Sequence, residues 1–290
     1  MKRTKGEKIF HFIVMTFFVL LCLSIIFPLL NIIALAFSGK GEVAAGLVSL
    51  WPKGFTLDSF KYVFRDGAFI TSFFISVSST IIGTFLSVIT VTLAAYPLSK
   101  PKLRHRRPIL LFFVFTMMFG GGLVPTYIVI KSLGLLDSYW VLILPSIMSV
   151  YNMLLVKNFM EGLPESLEES AKIDGASDFQ ILKAIVIPLC KPVLATVGLF
   201  FAVGYWNSYF PGVMYITNPA LEPLQTYLYE MLKASMMLQE LTPEQLVQMA
   251  EASSDSIQSA TIIATTIPIL IVYPFLQKHF VKGIVVGTEK

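Results

Sequence analysis

The sequence predicts an all-α polytopic membrane protein, a bundle of six transmembrane helices with both termini in the cytoplasm. Three observations carry this expectation. Of the 290 residues, 55% are hydrophobic and only 14% charged, with a mean hydropathy of +0.74, so a water-soluble domain of this composition would expose apolar surface. Six uncharged apolar runs, 9–37, 68–99, 108–130, 138–156, 192–217 and 257–277, are long enough to cross about 30 Å of hydrocarbon. Their unbroken apolarity favours helices over the alternating strands of a barrel. Finally, four basic residues precede the first span, five lie between the second and third, four between the fourth and fifth, and three after the last, which places sixteen of the 22 on one side. Basic segments beside spans resist translocation, so that side is cytoplasmic. The net charge of +4 is mostly this topological signal and is not read as nucleic-acid binding.

Taken in order, the first span is too long for a signal-peptide core and lacks a small-x-small cleavage site, which predicts a retained anchor. Cys22 lies in that span and Cys190 at the start of the fifth, so neither points to an extracellular disulfide; both read as packed thiols. The outer loop 38–67 carries Trp51-Pro52 and an amphipathic stretch at 57–64 expected at the interface. In the second span Ser72, Ser76, Ser79, Gly83, Ser87, Thr90 and Ala94 share one helical face. Such a face either lets helices pack closely or borders a polar path. Gly120-Gly121-Gly122 and Pro125 should loosen or break the third span, as a packing kink or a moving gate. The last outer segment, 218–256, is acidic through Glu222, Glu230, Glu240, Glu244, Glu251 and Asp255, with a helix expected from Thr242-Pro243-Glu244. It reads as a solvated cap or as a docking surface for an external partner. No linker or low-complexity tract interrupts the chain, which reads as one membrane domain, 1–290.

Several chemistries are missing. The spans hold no Asp, Glu, Lys or Arg, which argues against a proton relay or a charged-substrate site. Ser38-Gly39-Lys40-Gly41 superficially resembles a phosphate-binding loop, but the upstream glycine is Ala34 and the final Ser/Thr is Gly41. If ATP drives this protein, another chain binds it. His11, His105 and His279 lie far apart near membrane edges and form neither a zinc site nor a catalytic dyad. A polytopic enzyme would need a polar cluster that is absent, and an ion channel a charged or carbonyl filter. The polar groups that do enter the spans are neutral: Asn31, Tyr151, Asn152, Ser76, Ser79 and the cluster Tyr205-Trp206-Asn207-Ser208-Tyr209. An aromatic face can pack on the C–H surface of a sugar while amides and hydroxyls bond its hydroxyls, though packing and interfacial anchoring explain the same residues.

The most informative stretch is the loop 161–191. Pro164 opens it, Gly175 interrupts it, and Ser177 with Gln180 makes a capping-box pattern that starts a second helix ended by Pro188. The pattern is helix, glycine turn, helix. Glu169-Ser170-Ala171, three residues, Gly175, nine residues, then Ile185-Val186-Ile187-Pro188 resembles the EAA loop of bacterial ABC importer permeases, departing at Ser170 and Ile187. The whole chain is similar to the carbohydrate branch of that family, like the smaller permease subunit of the maltose system. Trp206-Asn207-x-Tyr209 and the 283–288 tail fit as well.

The resemblance implies coupling helices that dock in a groove of an ATPase subunit, with Glu169, Ser170 and Ala171 on the docking helix, Asp174, Gly175 and Ala176 at the turn and Pro188 beyond. Independently of it, Gly175 can adopt positive φ, and small Ala171 and Ala176 permit close approach. It further implies a heterodimer with a homologous permease, two ATPases that bind ATP and Mg, an extracytoplasmic binding protein, a carbohydrate substrate, a bacterial cytoplasmic-membrane location and no cofactor in this chain. Alternating access is the mechanism expected. A peptide or phosphate importer is the nearer alternative. On this reading Tyr205, Trp206, Asn207, Tyr209, Asn152, Ser76 and Ser79 border the substrate path.

Overall fold

The structure, a computed structural model, describes residues 5–239 and 255–285, and the side chains of 6–234, 236 and 255–271. The helix expected at Thr242-Pro243-Glu244, three of the six acidic residues of that segment (Glu240, Glu244 and Glu251) and the end of the 283–288 tail lie outside them. The described residues are helical, with no strand. Contacts divide the chain into two units, residues 1–70 with 228–268 and residues 71–227 with 269–290.

In the first unit α1 (Lys5–Ala36) is a continuous helix of 32 residues. It rises about 48 Å at 1.5 Å per residue. Nearly all its apolar side chains from Ile9 to Ile33 are exposed, Val14 and Ile32 being partly covered, as suits a helix surrounded by hydrocarbon, and full burial begins only at Ala34 and Ala36. There the chain folds back. Ser38 Oγ donates to the Ala34 carbonyl at 2.6 Å and accepts the Lys53 N–H at 3.0 Å, and Phe37 stacks on Phe55 at 5.7 Å. Asn31, read as a polar group in the first span, donates to the Ser49 carbonyl at 2.6 Å. After α2 (Lys40–Ala44), α3 (Asp58–Arg65) buries Ser59 and Val63 and exposes Tyr62 and Phe64, the amphipathic stretch expected at 57–64.

The second unit is built on α4 (Gly67–Ser99), whose small-residue face is buried: Ser72, Ser76, Ser79, Gly83 and Ser87 all point inward. The third predicted span is two helices, α5 (Arg106–Met118) and α6 (Leu123–Ser132), bent by 112° at the three glycines. Each glycine costs a helix about 1 kcal/mol relative to alanine, and Pro125 has no N–H to give the Gly121 carbonyl. Gly122 turns the chain at φ +83°. The fourth predicted span is likewise not one helix. Tyr139–Leu142 and Leu144–Ser146 form 3₁₀ turns around Pro145, then Ser149 accepts the Asn152 N–H and starts α7 (Val150–Glu161) at 49°.

α8 (Glu165–Ile173) and α9 (Asp178–Leu189) form the expected hairpin, followed at an 81° bend by α10 (Lys191–Trp206). The fifth predicted span ends there, because Asn207 caps the helix and Pro211 opens a separate short helix, α11 (Phe210–Tyr215), before α12 (Leu224–Gln239). α13 (Asp255–Val285) buries Ile257, Ala260, Thr261, Ala264 and Thr265, a stripe at helical spacing. By length and composition two described helices, Gly6–Ala36 and Gly67–Ser99, are each long and apolar enough to cross a membrane, and up to five spans meet that criterion if each bent pair counts as one.

The core of the second unit joins α4 (Val91, Ala95, Leu98), α7 (Met153, Val156), α9 (Ile181, Val186) and α10 (Val197, Phe201). A smaller cluster packs Ile130, Val141, Leu142 and Tyr215. Beside it Asp137, at φ +52°, accepts hydrogen bonds from the Thr217 hydroxyl and N–H and from the Asn218 N–H at 3.0 Å, while its own N–H donates to the Tyr215 carbonyl at 2.9 Å. This clasp ties the turn after α6 to the end of α11.

A Cβ on Gly83 would stand 2.7 Å from the Tyr205 ring. Gly83→Val should therefore destabilise the detergent-solubilised protein by about 1–3 kcal/mol, read as a lowered Tm. Gly204→Ala, where a Cβ meets nothing within 4 Å, should not. Hydrogen bonds from the Thr217 hydroxyl, then from the Thr217 and Asn218 N–H groups, hold the Asp137 carboxyl below its usual range. A depressed carboxylate adds stability above the ordinary aspartate value that is lost as pH falls through the folded one. Hydrogen exchange of the Thr217–Asn218 amides should accordingly be slow at neutral pH, faster in Asp137→Asn, and alike in both once the wild-type carboxylate protonates.

Candidate functional site

The 165–189 hairpin is built by local rules. Pro164 precedes α8, whose first turn carries Glu165 and Glu168 where the helix dipole favours anions. Gly175 closes the helix at φ +83°, with the Ala176 N–H donating to the Ala171 carbonyl at 2.9 Å. The capping box is present: Ser177 Oγ accepts the Gln180 N–H at 3.4 Å and Gln180 Oε1 accepts the Ser177 N–H at 2.8 Å. Lys172 and Asp178 bridge the two helices at 3.3 Å.

Pro188 does not end the second helix, which continues to Leu189. Lacking an N–H, Pro188 cannot bond the Ala184 carbonyl. Residues Leu182–Val186 instead take a wider π turn in which the Ile187 N–H donates to the Leu182 carbonyl, and the chain bends after Cys190. α9 buries Ile181, Leu182 and Val186 in the main core, so the hairpin is rooted there.

The face it presents outward is defined. Glu169, Ser170, Asp174 and Gly175 are exposed, and Ser170 Oγ donates to the Ser166 carbonyl at 2.9 Å, so its hydroxyl is satisfied within α8. Ala171 and Ala176 are half-buried against the core, where their small size serves the packing of the hairpin itself. Two large apolar side chains flank the turn instead: Ile173 is 86% exposed and Phe179 67%. Sequence reasoning passed over both, though an isoleucine on a helix otherwise rich in Glu, Ser and Lys was a visible signal. Lys100 and Arg106, counted as topological charges, pair with Glu168 and Glu161.

The neutral residues assigned to a path divide into two groups. Tyr205 is buried, its hydroxyl 2.9 Å from Ser87 Oγ and donating to the Ile143 carbonyl at 3.1 Å. Trp206 is buried edge-on against Phe73 with ring centres 6.2 Å apart. Ser76 Oγ accepts the Leu224 N–H at 2.7 Å, Ser79 Oγ donates to the Ser76 carbonyl, and Asn152 is buried in α7. Tyr205, Trp206 and Ser76 join separate elements, whereas Ser79 bonds within α4 and Asn152 is buried in α7. Asn207 and Tyr209 are exposed where α10 breaks. The small-residue face of α4 thus packs against Tyr205 of α10 and the start of α12.

Comparison with known proteins agrees with this arrangement. Over 98% of its length the chain is 41% identical to the polygalacturonan/rhamnogalacturonan transport system permease protein YtcP of Bacillus subtilis (strain 168), covering 99% of that protein. It is 44% identical to protein LplC of the same organism over 91% of this chain and 89% of that one. A chain from the crystal structure of a bacterial ABC transporter involved in the import of the acidic polysaccharide alginate superposes with a TM-score of 0.87 at 31% identity, over 97% of this chain and 99% of the other. Residues 67–286, which include α4 to α13 and the hairpin, match the binding-protein-dependent transport system inner membrane component, and the chain belongs to that family.

Proposed function

We propose that this chain forms half of the translocation path of an ATP-driven, binding-protein-dependent importer of an oligosaccharide, working by alternating access in a bacterial cytoplasmic membrane. The observation that carries the reading is the 165–189 hairpin. Its exposed edge is ready for a partner, its second helix runs into α10 through one bend, and the chain has no phosphate-binding loop of its own. Two partner ATPases supply ATP and Mg, a homologous permease completes the path, and an extracytoplasmic binding protein delivers the sugar. The subunit itself is not an enzyme. Six spans with both termini in the cytoplasm place the hairpin beside the ATPases, as the distribution of basic residues supports.

Glu169, Ser170, Asp174 and Gly175, with Ile173 and Phe179, meet the ATPase, while Ala171, Ala176 and Pro188 shape the hairpin from behind. To couple at all, the hairpin must respond differently to the ATP-bound and nucleotide-free ATPases. The names of the relatives support a saccharide, and two of them, polygalacturonan/rhamnogalacturonan and alginate systems, support an acidic one, against the expectation drawn from spans without charged residues. Of the neutral residues near the path, Asn207 and Tyr209 are the ones exposed to meet it.

A β-branched residue at the φ of Gly175 is strained. In proteoliposomes holding the full transporter, Gly175→Val should keep ATP hydrolysis but lower uptake per ATP by roughly fivefold or more; wild-type transport in that variant sinks the assignment. Uptake should be greatest for uronate oligosaccharides and absent for peptides and phosphate. Asn207→Ala and Tyr209→Ala should raise the KM for sugar without moving Tm, whereas Tyr205→Phe should lower Tm.

A further inference from the structure

The turn between α4 and α5 and the first two residues of α5 carry five basic residues, and they are not equivalent. Lys102, Arg104 and Arg107 are exposed, as charges that serve only membrane topology would be. Lys100 and Arg106 are half-buried and engaged. Lys100 Nζ sits 4.4 Å above the Tyr96 ring centre and pairs with Glu168 in the first turn of α8. Arg106 pairs with Glu161, the last residue of α7, and its Nε donates at 2.7 Å to the Leu98 carbonyl, one of the carbonyls left without a helical partner at the end of α4. Glu161, an anion at the unfavourable end of a helix, also pairs with Lys157 at 2.9 Å.

These pairs have side-chain exposures of 11–30%, against 63% and 70% for Lys61 and Asp58 on α3. Partial burial reduces screening, so the former can transmit force where the latter is worth little. One short turn thus ties the ends of α4, α5, α7 and α8.

We propose that this turn is a second coupling element. Lys100 and Arg106 are positioning residues through which displacement of α8 by the ATPase reaches α4, in parallel with the direct continuity of α9 into α10. The inference rests on the reading of the hairpin as the ATPase-docking loop. α4 is the destination that matters, because its Ser87 and Gly83 seat Tyr205 immediately before the break that exposes Asn207.

The test uses the complete transporter in proteoliposomes with loaded binding protein, comparing Lys100→Gln, Glu168→Gln, the double variant, the charge exchange Lys100→Glu/Glu168→Lys, and Lys102→Gln. ATPase subunit recovered per permease, ATP hydrolysis and uptake per ATP are measured separately. Each single variant should retain the ATPase and hydrolysis while uptake per ATP falls about fivefold or more. The double variant should be no worse than either single, the exchange should recover most of the loss, and Lys102→Gln should match wild type. Wild-type coupling in both single variants, additive losses in the double, or an equal loss in Lys102→Gln would overturn the proposal. Wild-type transporter that fails to retain an ATPase would instead overturn the docking assignment beneath it.

Discussion

The second unit depends on the seat of Tyr205. Its ring lies over Gly83, where any side chain would collide, and its hydroxyl reaches both Ser87 on α4 and the Ile143 carbonyl in the 3₁₀ turns before α7. One residue thereby fixes α10 against α4 and gives the Ile143 carbonyl, which already accepts the Ser146 N–H at 3.2 Å, a second donor. The small-residue face of α4 exists to admit this contact and the Ser76–Leu224 bond near it. The 3₁₀ turns before α7 are thereby tied to α4 through one tyrosine hydroxyl.

The hairpin inherits its stiffness from the same core. α9 buries three apolar side chains beside those of α4, α7 and α10, and its π turn absorbs Pro188 without ending the helix. The exposed edge of α8 therefore stands on a packed base. Ion pairs of Glu168 with Lys100 and of Glu161 with Arg106 add a lateral tie. On the proposed coupling reading, a stiff connection passes on a displacement that a soft one would dissipate locally.

Much of this was legible in the linear chain. The hairpin's turn, its capping box and the break at Gly120-Gly121-Gly122 follow from local chemistry: a positive φ, a side chain three residues from its cap, and a run without Cβ atoms. The breaks near Pro145 and Asn207 were less visible, because apolarity continues across them and a run of apolar residues does not report whether its helix is continuous. The clasp at Asp137 gave no signal at all, as its partners lie about eighty positions away.

The sequence by itself determined the membrane class, the helical content and the family to which the hairpin pattern belongs. Composition, charge placement and residue spacing are local or additive quantities, and they survive without a fold. Only the tertiary structure decided which polar residues are structural and which are available. Tyr205, Trp206 and Asn207 are consecutive, yet two are buried in helix packing and the third is exposed, because α10 stops between them. Likewise Lys100 and Lys102 differ in nothing but the direction they face, and that direction is set by where α8 lies.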